Sequence, residues 1–276
     1  IRLDTQTTSA LLYDGAHGTG RPGLTPEILL LAALTRTLAQ RSVQPRVLVE
    51  LEGHGREDIL DDIDLTRTVG WFTTRYPVVL EADGDASHTL HAVRTALGEV
   101  PQRGLHWGLL QARASLDEPV REALAGLPQA TVGFNYLGQF DASLPETARF
   151  AFAEERGGDS VQAGLSDTQA KALQLDALVA DGELQVNWRY RTDRLTQQEV
   201  EACAADFTQQ LQNMIDAAQR PATRLYASDF PLARLSQPAL DALKLNPASI
   251  VDIYPATQAS RAYCCTHNSV RAQAST

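Results

Sequence analysis

The chain of 276 residues holds no apolar run approaching the roughly 18 residues of a membrane-crossing helix, which argues against a span. It is short of positive charge: 24 Lys and Arg stand against 34 Asp and Glu, a formal net charge of −10. Phosphate backbones are bound by clustered cations, so nucleic acid is a poor fit as a partner. Cysteine is scarce and odd in number. Cys203, Cys264 and Cys265 have no metal-type spacing and no disulfide framework, which suits a reducing compartment and a cytoplasmic protein. No secretory signal opens the chain, and Ile1-Arg2-Leu3-Asp4 reads as the continuation of something longer. What is present is ordinary for a globular protein: 43% hydrophobic and 21% charged residues, enough to bury a core in one large or two small domains.

Ile1–Asp4 reads as the end of a strand and Thr8–Tyr13 as the start of a short helix, before a loop with Gly15, Gly18, Gly20 and Gly23. Thr25-Pro26 opens a helix, Thr as N-cap and Pro at the first position. Its body, Ile28–Leu38, is apolar on nearly every side and is expected to be buried. Asp85–Leu97 is amphipathic, with Ala86, Leu90, Val93 and Leu97 on one stripe, and Pro101 ends it. Thr131–Tyr136 reads as a strand with Val132, Phe134 and Tyr136 on one face and Asn135 on the other. A hairpin follows: Leu173–Ala180, the turn pair Asp181-Gly182, then Leu184, Val186, Trp188 and Tyr190 in alternation. Thr196–Glu199 is a capping box with Leu195 and Val200 placed as a staple. The helix it opens carries Val200, Ala204, Phe207, Leu211, Met214 and Ala218 at core spacing. Interleaved strands and helices of this kind predict an α/β lobe on a mixed sheet.

The stretch richest in chemistry is Glu52-Gly53-His54-Gly55-Arg56-Glu57. Val47–Leu51 before it reads as a strand, with Val47, Val49 and Leu51 on one face and Leu48, Glu50 and Glu52 on the other. Glu52 is therefore expected at a sheet edge, beside two glycines that admit a close backbone or ligand. The plain alternative is a solvated turn in which Arg56 pairs with a neighbouring carboxylate.

Three blocks stand in order: Glu52–Glu57 (EGHGRE), Arg67–Thr73 (RTVGWFT) leading into Tyr76-Pro77, and Phe134–Phe140 (FNYLGQF). Together they resemble the epimerization domains of nonribosomal peptide synthetases, over roughly residues 1–222. A weaker block, Pro101–Gly108, departs from the family at His106 and Trp107. The resemblance implies a chloramphenicol-acetyltransferase-like fold of two lobes around a tunnel, of which this chain resembles the second. Residues 223–249 resemble the linker that follows such a domain, and Ile250–Pro255 with Thr257-Gln258 the opening of a downstream condensation domain. Ala259–Thr276 matches nothing.

Epimerizing an acyl thioester requires a base at the α-carbon, an acid on the opposite side, and donors for the enolate oxygen. The resemblance makes Glu52 the catalytic glutamate and places Asn135 and Tyr136 along the same site. Alternation allows only one of those two to face the tunnel if the strand is regular. The family's catalytic histidine lies in an HHxxxDG block, and none of His17, His54, His88, His91, His106 or His267 stands in such a block. That block belongs to the first lobe, so the chain is expected to be inactive alone, and His54 to order its loop. The implied partners are the absent N-terminal lobe, an upstream peptidyl carrier domain and a downstream condensation domain. No cofactor is implied on the lobe itself; the substrate rides on the carrier's phosphopantetheine arm. Two other readings stay open: an amide-forming condensation lobe, and a non-catalytic module that only docks a carrier.

Overall fold

The computed structural model describes residues 1–14, 24–57, 59, 62–112, 117–140, 171–220, 224–250 and 252–256. The glycine loop, Thr257-Gln258 and the tail with Cys264 and Cys265 lie outside them. The described residues form two units that part after Arg220.

In the first unit β1 (Arg2–Leu3), β2 (Arg46–Gly53), β3 (Thr74–Glu81), β4 (Val132–Gln139), β5 (Leu173–Ala180) and β6 (Glu183–Tyr190) make one sheet, ordered β1-β6-β5-β4-β2-β3. The sheet is mixed, as expected. β2, β4 and β5 run parallel, while β3 and β6 are antiparallel to their neighbours. Its helices are α1 (Thr5–Ser9), α2 (Pro26–Ser42), α3 (Ala86–Gly98), α4 (Leu105–Ala112), α5 (Glu118–Ala125) and α6 (Gln197–Gln219).

Period-2 alternation builds the core face: Val47, Val49 and Leu51 of β2, Val78 and Leu80 of β3, Leu175 and Ala177 of β5, and Leu184 and Val186 of β6 are all buried. Against them lies α2, whose residues Leu29–Leu34 are wholly buried, as an all-apolar helix must be. Thr25 caps it, accepting from the Ile28 amide at 3.4 Å. Phe207, Leu211 and Met214 of α6 and Leu90 and Val93 of α3 complete the same core. The capping box closes both ways: Thr196 N–H donates to Glu199 Oε2 at 2.8 Å, and Glu199 N–H to Thr196 Oγ1 at 3.3 Å. The β5–β6 turn falls on Asp181 and Gly182 at φ 55° and 71°, the left-handed pair that a two-residue hairpin demands.

Two local readings shift. The first helix begins at Thr5 rather than Thr8, because Asp4 accepts from the Thr7 amide at 2.8 Å and caps it earlier. β2 is an interior strand between β4 and β3, so Glu52 lies near its C-terminal end and not on the sheet's edge strand.

The second unit is small. Leu225, Phe230 and Leu240 form its centre, with Leu235, Ile250 and Ile253 packed on it, and Leu240 comes from the helix α7 (Gln237–Ala242). The stretch expected as a linker thus carries a small core of its own.

Candidate active site

On the face of the sheet opposite the core, one cross-strand row brings the site together. Glu52 and Arg75 are paired across β2 and β3, and Asn135 is paired with Asp176 across β4 and β5. Asn135 Nδ2 donates to Glu52 Oε2 at 2.8 Å. The other carboxylate oxygen, Oε1, stands 3.1 Å from Arg75 Nε. Both oxygens of Glu52 are therefore engaged while its side chain keeps 24% exposure, against 58% for Arg75. A carboxylate accepts only, so the amide must present its nitrogen here, which fixes Asn135 as well as Glu52. This is an oriented and reachable carboxylate. Further along the face Asp176 accepts from Gln174 Nε2 at 3.1 Å and pairs with Arg189, and Lys171 Nζ meets Glu50 Oε2 at 2.8 Å.

The remainder of the motif is scaffolding. His54 Nδ1 accepts from the Arg56 amide at 3.0 Å, so the neutral ring carries its proton on Nε2, 3.2 Å from Glu57 Oε1. Among the described residues Arg56 meets no carboxylate, the partner the surface-turn reading gave it. It donates to the Leu65 carbonyl at 2.6 Å and the Gly70 carbonyl at 3.4 Å, with its guanidinium 4.2 Å from the centre of the Phe72 ring. Arg56 thus pins the loop that leads into β3. The glycines serve this packing: a Cβ on Gly55, at φ 67°, would fall 1.7 Å from the Phe72 carbonyl oxygen. What comes close is the protein's own backbone.

Of the residues expected at the site, Glu52 and Asn135 are brought into contact, and Tyr136 is not. Tyr136 pairs with Ala177 on the core face and packs against the core. Burial, and then the charge of Glu27, push its hydroxyl above the usual tyrosine range. Tyr76 is pushed up for the same first two reasons, with Arg103 pulling the other way. Glu27 itself, in the first turn of α2, is raised by burial and only partly relieved by Arg103. Sequence reasoning missed Glu27 and Arg75. An acidic residue in a helix's first turn reads as a partner of the helix dipole, and Arg75 gave no signal until its register was known. No cluster of His, Cys, Asp and Glu able to hold a metal ion occurs among the described residues. Among them, too, no helix is long and apolar enough to cross a membrane.

A mixed sheet flanked by helices, with an anchored carboxylate near the end of an interior strand, is a chloramphenicol-acetyltransferase-like lobe. The Condensation domain family model matches residues 20–230, and the chain belongs to that family. It is 38% identical over 232 residues to one of the linear gramicidin synthase proteins of Brevibacillus parabrevis, covering 83% of this chain and 3% of that protein. Tyrocidine synthase 1 of the same organism is 30% identical over 250 residues, covering 87% of this chain and 22% of its own length. The chain thus spans a small fraction of these curated relatives. Among solved structures, the epimerization domain from the third module of tyrocidine synthetase B superposes with a TM-score of 0.66 at 26% identity. That match covers 79% of this chain and 47% of the other.

Proposed function

We propose that residues 1–222 are the C-terminal half of a nonribosomal peptide synthetase epimerization domain. It converts an L-aminoacyl or peptidyl residue, held as a thioester on a carrier's phosphopantetheine arm, to the D form. Glu52 moves the α-proton and Asn135 holds Glu52 in place, while Tyr136 supports the site from the core side. The observation that carries this reading is the Glu52 carboxylate, gripped by Asn135 at 2.8 Å and Arg75 at 3.1 Å near the end of β2. The match to the tyrocidine epimerization domain supports it, as do the EGHGRE, RTVGWFT and FNYLGQF blocks. A neighbouring half-domain supplies the second proton donor, and a peptidyl carrier domain the substrate. Residues 223–249 link onward to a condensation domain that begins near Ile250. The whole works in the cytoplasm.

The test is incorporation of solvent deuterium at the α-carbon of a peptidyl carrier thioester. A complete domain that includes this chain should exchange, and this chain alone should not. Amide formation without exchange by the complete domain would favour the condensation reading. Binding of a carrier with neither reaction would leave a docking module.

A further inference from the structure

The epimerization reading leaves one requirement without a residue, the donor for the enolate oxygen. We propose that Arg75 is that donor, an inference that rests on Glu52 acting at the α-carbon. Arg75 and Glu52 are direct cross-strand partners, and Nε lies 3.1 Å from Glu52 Oε1. A guanidinium carries five N–H donors, and Nε uses one of them. The Nη groups have no other partner among the described residues, and the side chain is 58% exposed beside a carboxylate at 24%. Those donors are solvent-accessible beside the Glu52 carboxylate.

The distances suit one enolisable unit. An α-carbon and its own carbonyl oxygen are ~2.4 Å apart, from bond lengths of about 1.5 and 1.2 Å. A base on the α-hydrogen and a donor on that oxygen must therefore be close neighbours, within reach of one small unit, as Arg75 and Glu52 are. The charge flow suits them as well. Glu52 takes the α-proton, the C–H electron pair becomes the enolate double bond, and the carbonyl pair moves onto oxygen. Negative charge leaves Glu52 as it appears on the thioester oxygen, and the cation that held the first is beside the second. The interaction thus strengthens toward the transition state, which is the condition for catalysis rather than tighter binding. A general acid from the other half of the domain returns a proton on the opposite face, the enolate pair reforms the C–H bond, and Glu52 releases its proton to water.

The experiment uses the complete epimerization domain with its loaded carrier, and deuterium exchange over a range of carrier concentrations up to saturation as the readout. Arg75→Met should lower kcat about 10²- to 10³-fold, the usual cost of one oxyanion donor, with KM little changed. Arg75→Lys should recover part of the loss. Arg75→Ala should be rescued by added guanidinium ion, which a packing role would not show. Wild-type exchange in Arg75→Met overturns the proposal. So does a loss in Arg75→Ala that guanidinium leaves untouched, since Arg75 would then only brace the strands. Glu52→Gln, run alongside, separates the two levels. If it is inactive while Arg75→Met is normal, only Arg75 is misassigned; if Glu52→Gln exchanges normally, the Glu52 reading itself fails.

Discussion

Asn135 and Glu52 are 83 positions apart in sequence and 2.8 Å apart in space, amide nitrogen to carboxylate oxygen. The contact exists because β2 and β4 are adjacent and parallel, and both side chains point away from the core. Replacing Asn135 with Leu keeps the volume and removes the donor. A hydrogen bond to a charged group is worth about 1.5–3 kcal/mol, and each 1.4 kcal/mol of barrier is about tenfold in rate. Partial exposure of Glu52 places the expected loss at the lower end, about tenfold in exchange. Asn135→Asp should lose more, since it sets a second carboxylate against the first. Exchange at the wild-type rate in Asn135→Leu would remove Asn135 from the site.

Glu52 and Glu57 offer a contrast within one motif. Glu57 faces His54 at 3.2 Å and Glu52 faces Asn135, so only Glu52 belongs to the sheet's polar row. Glu52→Gln should cost about 10²- to 10⁴-fold in exchange, the usual contribution of a general base. Glu57→Gln should cost less than tenfold and act mainly through loop order. The reverse ranking would place the catalytic carboxylate at the wrong end of the motif.

The facing of Glu52 and Asn135 was legible because alternation fixes which way each side chain points once a strand is identified. The β5–β6 hairpin was legible because Asp181-Gly182 encodes its turn locally. Arg75 was not. A long loop joins β2 to β3, so no tight turn sets their register, and a slip of one residue would put Arg75 on the core face. Glu27 was hidden for another reason: its meaning comes from Tyr76, Tyr136 and Arg103, which no spacing in sequence brings near it. The alternation also placed Tyr136 on the core side, which separates it from Glu52 despite its place in the same block.

Gly55 tests the scaffold without touching the polar row. Its φ of 67° costs an alanine about 1–2 kcal/mol, and the added Cβ meets the Phe72 carbonyl oxygen at 1.7 Å, so backbone must move. Gly55→Ala should therefore destabilise by about 2 kcal/mol or more, seen as a lower denaturant midpoint, and release the Arg56–Phe72 stack. An unchanged midpoint would mean the loop has no fixed seat on Phe72.

The last prediction concerns the half-buried carboxyl at the start of α2. Glu27 ionises above its ordinary value of 4.5 because burial penalises the charge more than Arg103 and the helix N-terminus favour it. A raised folded-state value means the folded chain holds this proton more tightly than the unfolded chain does. Ionised Glu27 therefore lowers stability at neutral pH, and that cost disappears as pH falls through the folded value toward and below 4.5. Glu27→Gln abolishes the charge and should raise the thermal midpoint at pH 7, by about 2–4 °C for each 1 kcal/mol relieved. The difference from the unsubstituted chain should shrink steadily on acidification and vanish below pH 4.5. A Glu27→Gln chain equal to or less stable than its parent at pH 7 would show instead that Arg103 fully compensates the half-buried carboxylate.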